Sequence, residues 1–257
     1  MSESTQRWRL TIAYDGRTFD GWQSQPSNNT VQDHVERALA KITKVSEIRI
    51  HGSGRTDAGV HAEGQVAHFD APVGLRLGAE NWPMALNTQL PPQIRVMNSE
   101  PVGDDFHARF SATGKTYTYR LAVGNILSPM SYGRIWMTHS RLDSTILRKA
   151  AEQLEGRHDF QCFAANGGSR CLPPKSTIRT IARIECHEMP DNHWELTFSG
   201  DGFLYKMVRM LVGTMVGLAA GRISESTFQQ LVLAQPGLKT PACAPADGLY
   251  LVTVRYA

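Results

Sequence analysis

The same succession of periodicities runs through this chain twice, and few architectures can accommodate it. Residues 8–14 alternate bulky and polar side chains, as a half-buried strand does, and end at the turn signal Asp15-Gly16. Thr30 then opens a helix as its N-cap. Asp33 is placed to mimic a capping box, and Val31, Val35, Ala38, Leu39 and Ile42 form the apolar stripe. Residues 48–51 and 65–69 read as short strands flanking a glycine-rich loop, 77–86 as a helix despite Pro83, and 94–97 as a strand. The order is β-α-β-β-α-β. It recurs as a strand at 116–123 and a helix at 144–154, with Ile146, Leu147, Ala150, Ala151 and Leu154 on one side. A hairpin of 178–187 and 193–198 around Pro190-Asp191-Asn192, an apolar helix at 204–220 and a closing strand at 249–255 complete it.

Each half has the order of a ferredoxin-like split βαβ unit, the topology of RRM modules. The expected fold class is therefore α+β. Two ferredoxin-like (RRM-like) halves, residues 1–105 and 106–257, would form a mixed, mainly antiparallel sheet with helices on one face and a cleft between the halves. Residues 166–177, with Gly167-Gly168 and Pro173-Pro174, read as a loop inside the second half.

Composition narrows the setting. At 41% hydrophobic and 20% charged residues the chain reads as an ordinary globular protein. Its N-terminus is polar, and its longest nearly apolar run, 210–220, is too short for the roughly 20 residues that span a bilayer. The expectation is a cytoplasmic protein without a membrane segment. Cys162, Cys171, Cys186 and Cys243 include no C-x-x-C pair and read as reduced thiols. The nine histidines include His51, His61 and His68 near one another, but no H-E-x-x-H or Cys/His set accompanies them, so no metal is expected. The net charge of +3 hides an asymmetry: residues 1–105 hold 10 Lys+Arg against 13 Asp+Glu, and residues 106–257 hold 17 against 11. A basic, arginine-rich second half hints at a polyanionic ligand.

The segment His51-Gly-Ser-Gly-Arg-Thr-Asp-Ala-Gly-Val-His-Ala62 is the most unusual in the chain. It lacks the Gly-Lys-Ser/Thr of a Walker loop, Asp57 stands where a dinucleotide fingerprint needs its third glycine, and Ser53 is not in a G-x-S-x-G elbow. What remains is a cation, Arg55, and a carboxylate, Asp57, in a loop made rigid by its context. Read locally, Asp57 either closes an Asx-type turn before Ala58-Gly59 or acts as a nucleophile or base. Arg209 is a second anomaly, a guanidinium in an otherwise apolar helix, which must either pair or reach out to water.

Gly54-Arg-Thr-Asp-Ala-Gly-Val-His-Ala62 resembles the signature loop of the TruA family of tRNA pseudouridine synthases. Tyr14-Asp-Gly16, Gly21-Trp-Gln-Ser-Gln25, Asp105-Phe-His-Ala-Arg109, Lys115-Thr-Tyr-Thr-Tyr119, Phe203-Leu-Tyr-Lys-Met-Val-Arg209 and Gly248-Leu-Tyr-Leu251 resemble further family segments in the same order. The stretch between Ser169-Arg170 and Arg179-Thr-Ile181 is longer than the family pattern. The resemblance implies isomerisation of uridine to pseudouridine at positions 38 to 40 of the tRNA anticodon stem-loop, without cofactor or metal, by a homodimer. It implies that Asp57 is catalytic and that Tyr117 stacks on the uracil. Arg55 would hold the stem open and Leu249 would pack beneath the base. For Arg209, a carboxylate from the first half would explain the lone guanidinium, and Asp57 is the candidate partner. Two other readings weigh against it: an RRM-like RNA-binding module without catalysis, although neither half shows the aromatic RNP1 pattern, and a glycosidase pairing Asp57 with Asp70.

Overall fold

The computed structural model describes residues 4–75, 77–165 and 176–257, so most of the loop read at 166–177 lies outside the described residues. The chain divides into two compact units. One takes in the described residues up to Thr113 together with Tyr250–Ala257, and the other is Gly114–Leu249.

The first unit runs β1 (Thr5–Tyr14), α1 (Val31–Thr43), β2 (His51–Gly52), β3 (His61–Pro72), α2 (Asn81–Gln89) and β4 (Ile94–Val102), and closes with the chain's tenth strand, β10 (Leu249–Tyr256, whose first residue belongs to the second unit). Its strands lie in the order β4-β1-β3-β10. β1 is antiparallel to both neighbours, and β10 is parallel to β3 with Tyr250 opposite His61. The division read at 105/106 differs here, because the final strand packs with the first unit. Alternation along β1 buries Trp8, Leu10, Ile12 and Tyr14. Trp82 of α2 packs against Trp8 and Phe69, with ring centroids 5.8 and 5.1 Å away. Pro83 explains why α2 begins at Asn81 rather than at 77: proline is tolerated in a first turn, where its missing N–H has no intrahelical partner to lose. The box read at α1 is present, with the Thr30 hydroxyl accepting from Asp33 N–H and the Asp33 carboxylate accepting from Thr30 N–H.

The second unit contains β5 (Ala112–Val123, whose first two residues belong to the first unit), β6 (Trp136–Thr138), α3 (Ser144–Leu154), β7 (Gly156–Asp159), β8 (Ile178–Met189), β9 (His193–Gly200), α4 (Met207–Ala219) and α5 (Glu225–Val232). β5, β9, β8 and β7 follow one another antiparallel, and β6 runs parallel to the end of β5. The β8–β9 hairpin turns through Asp191 and Asn192, both at positive φ, which these short polar side chains tolerate better than most. α3 buries Leu147, Ala150, Ala151 and Leu154, whereas Ile146 is exposed because it lies about 100° around the helix from Leu147. Among the described residues no helix is long and apolar enough to cross a membrane.

A pH dependence follows from the first unit. His68 is buried on β3, and its Nδ1 accepts the Ala108 N–H at 3.1 Å. Burial, aided by the nearby His107 and His51, holds its pKa down at about 4. The unfolded chain, at the ordinary 6.5, binds the extra proton first as pH falls. Stability from this group is therefore fully present above 6.5 and is lost between about 6.5 and 4, by at most about 3 kcal/mol. Urea midpoints from pH 7.5 to 4.5 should fall accordingly, and a His68→Asn variant should show a shallower slope.

Candidate active site

The loop between β2 and β3 is clamped from three sides within the first unit. On the first side, the α1 N-terminus uses two of its otherwise orphan donors, Val31 N–H and Gln32 N–H, on the carbonyls of Gly21 and Trp22. Trp22 N–H in turn donates to the Thr56 carbonyl at 3.1 Å. Only glycine suits position 21, where φ is +87° and a Cβ would stand 2.5 Å from the Thr56 carbonyl oxygen.

On the second side, β1 ends against the loop. The buried Tyr14 hydroxyl lies 2.8 Å from Thr56 Oγ1. Gly16 lies so close that a Cβ would meet the Val60 carbonyl oxygen at 2.0 Å. Asp15 turns outward and binds Arg17; burial pushes its carboxyl up, but the Arg17 hydrogen bonds and the nearby His61 outweigh that and bring it to about 2. On the third side, His61 opens β3. Its Nδ1 accepts the Gly16 N–H at 3.2 Å, and its ring stacks on Tyr250 of β10 at 4.5 Å and 14°.

Arg55 stands exposed and Asp57 half-buried on this clamped backbone. Asp57 begins a turn that its own backbone carbonyl closes by accepting Val60 N–H, with Gly59 at φ +81°. The hydrogen bond closing the turn thus uses the backbone and places no demand on the carboxylate, which weakens the reading of Asp57 as a mere turn former.

Tyr117, Arg209 and Leu249 belong to the second unit, where the segment 244–248 links the elements that carry them. Arg209, half-buried near the start of α4, donates from Nε to the Ala244 carbonyl at 2.8 Å, and Ala244 N–H returns a bond to the Arg209 carbonyl. The Tyr119 hydroxyl donates to the Pro245 carbonyl at 2.8 Å. Arg120 N–H donates to Gly248, and Leu249 N–H to Ala246. Gly248 has no room for a side chain, since a Cβ would lie 2.7 Å from the Tyr119 ring and 2.4 Å from the Arg120 carbonyl oxygen. Tyr117, two residues before Tyr119 and on the same face of β5, is buried with its ring edge-on to Phe203 at 5.2 Å. Leu249 is buried at the start of β10.

The histidines form a ring cluster of His51, His68 and His107, with centroids 4.6 to 5.8 Å apart. Among the described residues no three His, Cys, Asp or Glu side chains are arranged to hold a metal ion. Asp70 is paired with Arg7 through both carboxylate oxygens. It lies nine residues beyond His61 on β3, about 30 Å along the strand, far from the spacing of paired glycosidase carboxylates. Sequence reasoning missed the side chains beneath the loop, Tyr14, Thr56 and Gln65. Tyr14 and Thr56 stood in the motif segments without a role, and the alternation of β1, which turns a tyrosine side chain inward, was a further signal.

Comparison with known proteins adds an independent line. The family model described as tRNA pseudouridine synthase matches residues 10–111 and 150–257. A tRNA pseudouridine synthase A of Akkermansia muciniphila is 47% identical over 253 residues, covering 97% of this chain and 95% of that protein. Proteins of the same name from Chromobacterium violaceum and Latilactobacillus sakei are each 42% identical, covering 97% and 98% of this chain and 93% and 99% of their own lengths. The matched segments include the clamped loop and the motifs around Arg209 and Leu249.

Proposed function

The chain belongs to the tRNA pseudouridine synthase family, and on that premise we propose that Asp57 is the catalytic residue and that the target uridines lie at positions 38 to 40 of the anticodon stem-loop. The enzyme is an isomerase acting on tRNA. The N1–C1′ bond of uridine breaks, the base turns in place, C5 bonds to C1′, and the C5 proton leaves while N1 gains one. A carboxylate serves this by attacking C1′ or C6, or by taking the C2′ proton to give a glycal. Each route uses a single carboxylate. The observation that carries the assignment is the clamped turn, which presents Asp57 from a backbone fixed by Trp22, Tyr14 and His61.

The other assignments are part of the same proposal. Tyr117 stacks on the flipped uracil, a contact of about 1–3 kcal/mol, and Leu249 packs beneath it. Arg55, exposed on the loop, occupies the space the uridine leaves in the stem. Arg209 steadies the Asp57 carboxylate. The enzyme acts as a homodimer, which light scattering of the tRNA complex checks.

The test is tritium release from tRNA carrying uridine labelled at C5, in EDTA. Release from a tRNA with uridines at 38 to 40, and none when cytidines replace them, supports the site. Release from both tRNAs moves the target elsewhere. Binding should also weaken linearly in log–log terms with salt, because residues 106–257 carry 17 Lys+Arg against 11 Asp+Glu. An affinity unchanged between 50 and about 200 mM salt would remove phosphate contacts from the proposal.

A further inference from the structure

Beneath Arg55 and Asp57 lies a set of buried polar side chains to which the reaction gives no role of its own. Tyr14 and Thr56 are under one-tenth exposed, and Ser53 and Gln65 are fully buried. The directions of their hydrogen bonds follow from what each group can do. The Gly54 carbonyl can only accept, so it is the Gln65 amide nitrogen that faces it, at 3.0 Å. The amide oxygen then faces Ser53, whose hydroxyl donates to it at 2.7 Å. The Tyr14 hydroxyl shares a hydrogen bond with Thr56 Oγ1 at 2.8 Å, in which either hydroxyl can donate.

These bonds run from β1 and β3 to the loop. From two rigid strands they reach loop residues on both sides of Arg55: Ser53 and Gly54 before it, Thr56 after it. Thr56 is held twice, by its hydroxyl from Tyr14 and by its carbonyl from Trp22 N–H, and it is the residue before Asp57. Two anchors on opposite sides of one residue fix the rotation of the peptide from which the next side chain projects. Tyr14 is the outermost link, since removing its hydroxyl leaves a buried Thr56 hydroxyl without that partner while the aromatic ring stays packed against Trp22 at 6.2 Å.

We propose that Tyr14 is a positioning residue for the reaction, setting the aim of Asp57 through its hydrogen bond to Thr56. The inference rests on the reading of Asp57 as the catalytic residue. The experiment measures kcat and KM for Tyr14→Phe, Thr56→Val, Thr56→Ser and the Tyr14→Phe/Thr56→Val double variant. Each is corrected for folded fraction by circular dichroism, with Asp57→Asn run alongside. In Tyr14→Phe and Thr56→Val, kcat should fall about tenfold or more with KM and tRNA affinity within about twofold. The double variant should fall little further, as partners in one bond do. Thr56→Ser, which keeps a hydroxyl, should regain most of the rate lost in Thr56→Val. A kcat per folded enzyme within twofold of the parent in Tyr14→Phe overturns the proposal. If that variant does not fold, the same result in Thr56→Val does so. An active Asp57→Asn would instead remove the catalytic assignment itself, so the two failures are distinguishable.

Discussion

Replacing Asp57 by asparagine is expected to lower pseudouridine formation by at least about 10³-fold while tRNA affinity stays within about twofold. The amide has the shape of the carboxylate but cannot act as a nucleophile or as a base. The turn at Asp57 is closed by backbone atoms and Thr56 is anchored by its own hydroxyl and carbonyl, and both contacts persist in the variant. Single-turnover tritium release at saturating enzyme isolates the chemical step, and filter binding at fixed salt reports affinity. Turnover by the variant beyond what deamidation to aspartate supplies would remove Asp57 from the chemistry. A loss of affinity that accounts for the whole effect would make it a binding group instead.

Local signals were legible wherever one residue and its near neighbours decide the structure. The Thr30/Asp33 box fixed the start of α1, α3 spans 144–154 as its pattern reads, and Pro190-Asp191-Asn192 marks the β8–β9 turn. Three elements escaped because their sequences carry little periodicity. β6 has three residues and β7 four, in Gly-Arg-His-Asp, while Phe228 and Leu231 are the two side chains that α5 buries. Strand partners are a different matter. The alternation of 249–255 is the same whichever unit receives it, so nothing local foretold that β10 lies parallel to β3.

The site shows the same division. Asp57 and Arg55 stand in a motif that can be recognised from eight or nine consecutive residues. The support beneath them joins position 14 to 56 and position 65 to 53 and 54, and its logic appears only when the strands bring those groups within hydrogen-bond reach. The glycines of the other motifs became explicable in the same way. Gly16, Gly21 and Gly248 each sit where a Cβ would collide with backbone. They are packing requirements of the loop and of the segment after Ala244, whereas the sequence reads Gly16 as part of a turn and shows Gly21 and Gly248 only as members of motifs.

Arg209→Ala is expected to lower kcat by about 10²-fold with tRNA affinity changed by less than about threefold. Its neighbours in α4, Met207, Val208, Met210, Leu211 and Val212, are all buried, so a guanidinium among them has a desolvation cost that a solvent-facing position would avoid. The Nε–H bond to the Ala244 carbonyl orients the guanidinium, and Ala244 N–H, donating to the Arg209 backbone carbonyl, fixes the segment that holds it. A group held in this way can orient a carboxylate rather than merely attract it, which is the role proposed for it toward Asp57. Arg209→Lys should recover only part of the rate, because lysine has neither the Nε donor that meets Ala244 nor the planar fork. The deciding measurement is the double variant. If Arg209 acts through the Asp57 carboxylate, Arg209→Ala should cost almost nothing further in an Asp57→Asn background. A full additional loss there, or a tenfold rise in the dissociation constant for tRNA with kcat intact, would make Arg209 a contact to RNA rather than a support for Asp57.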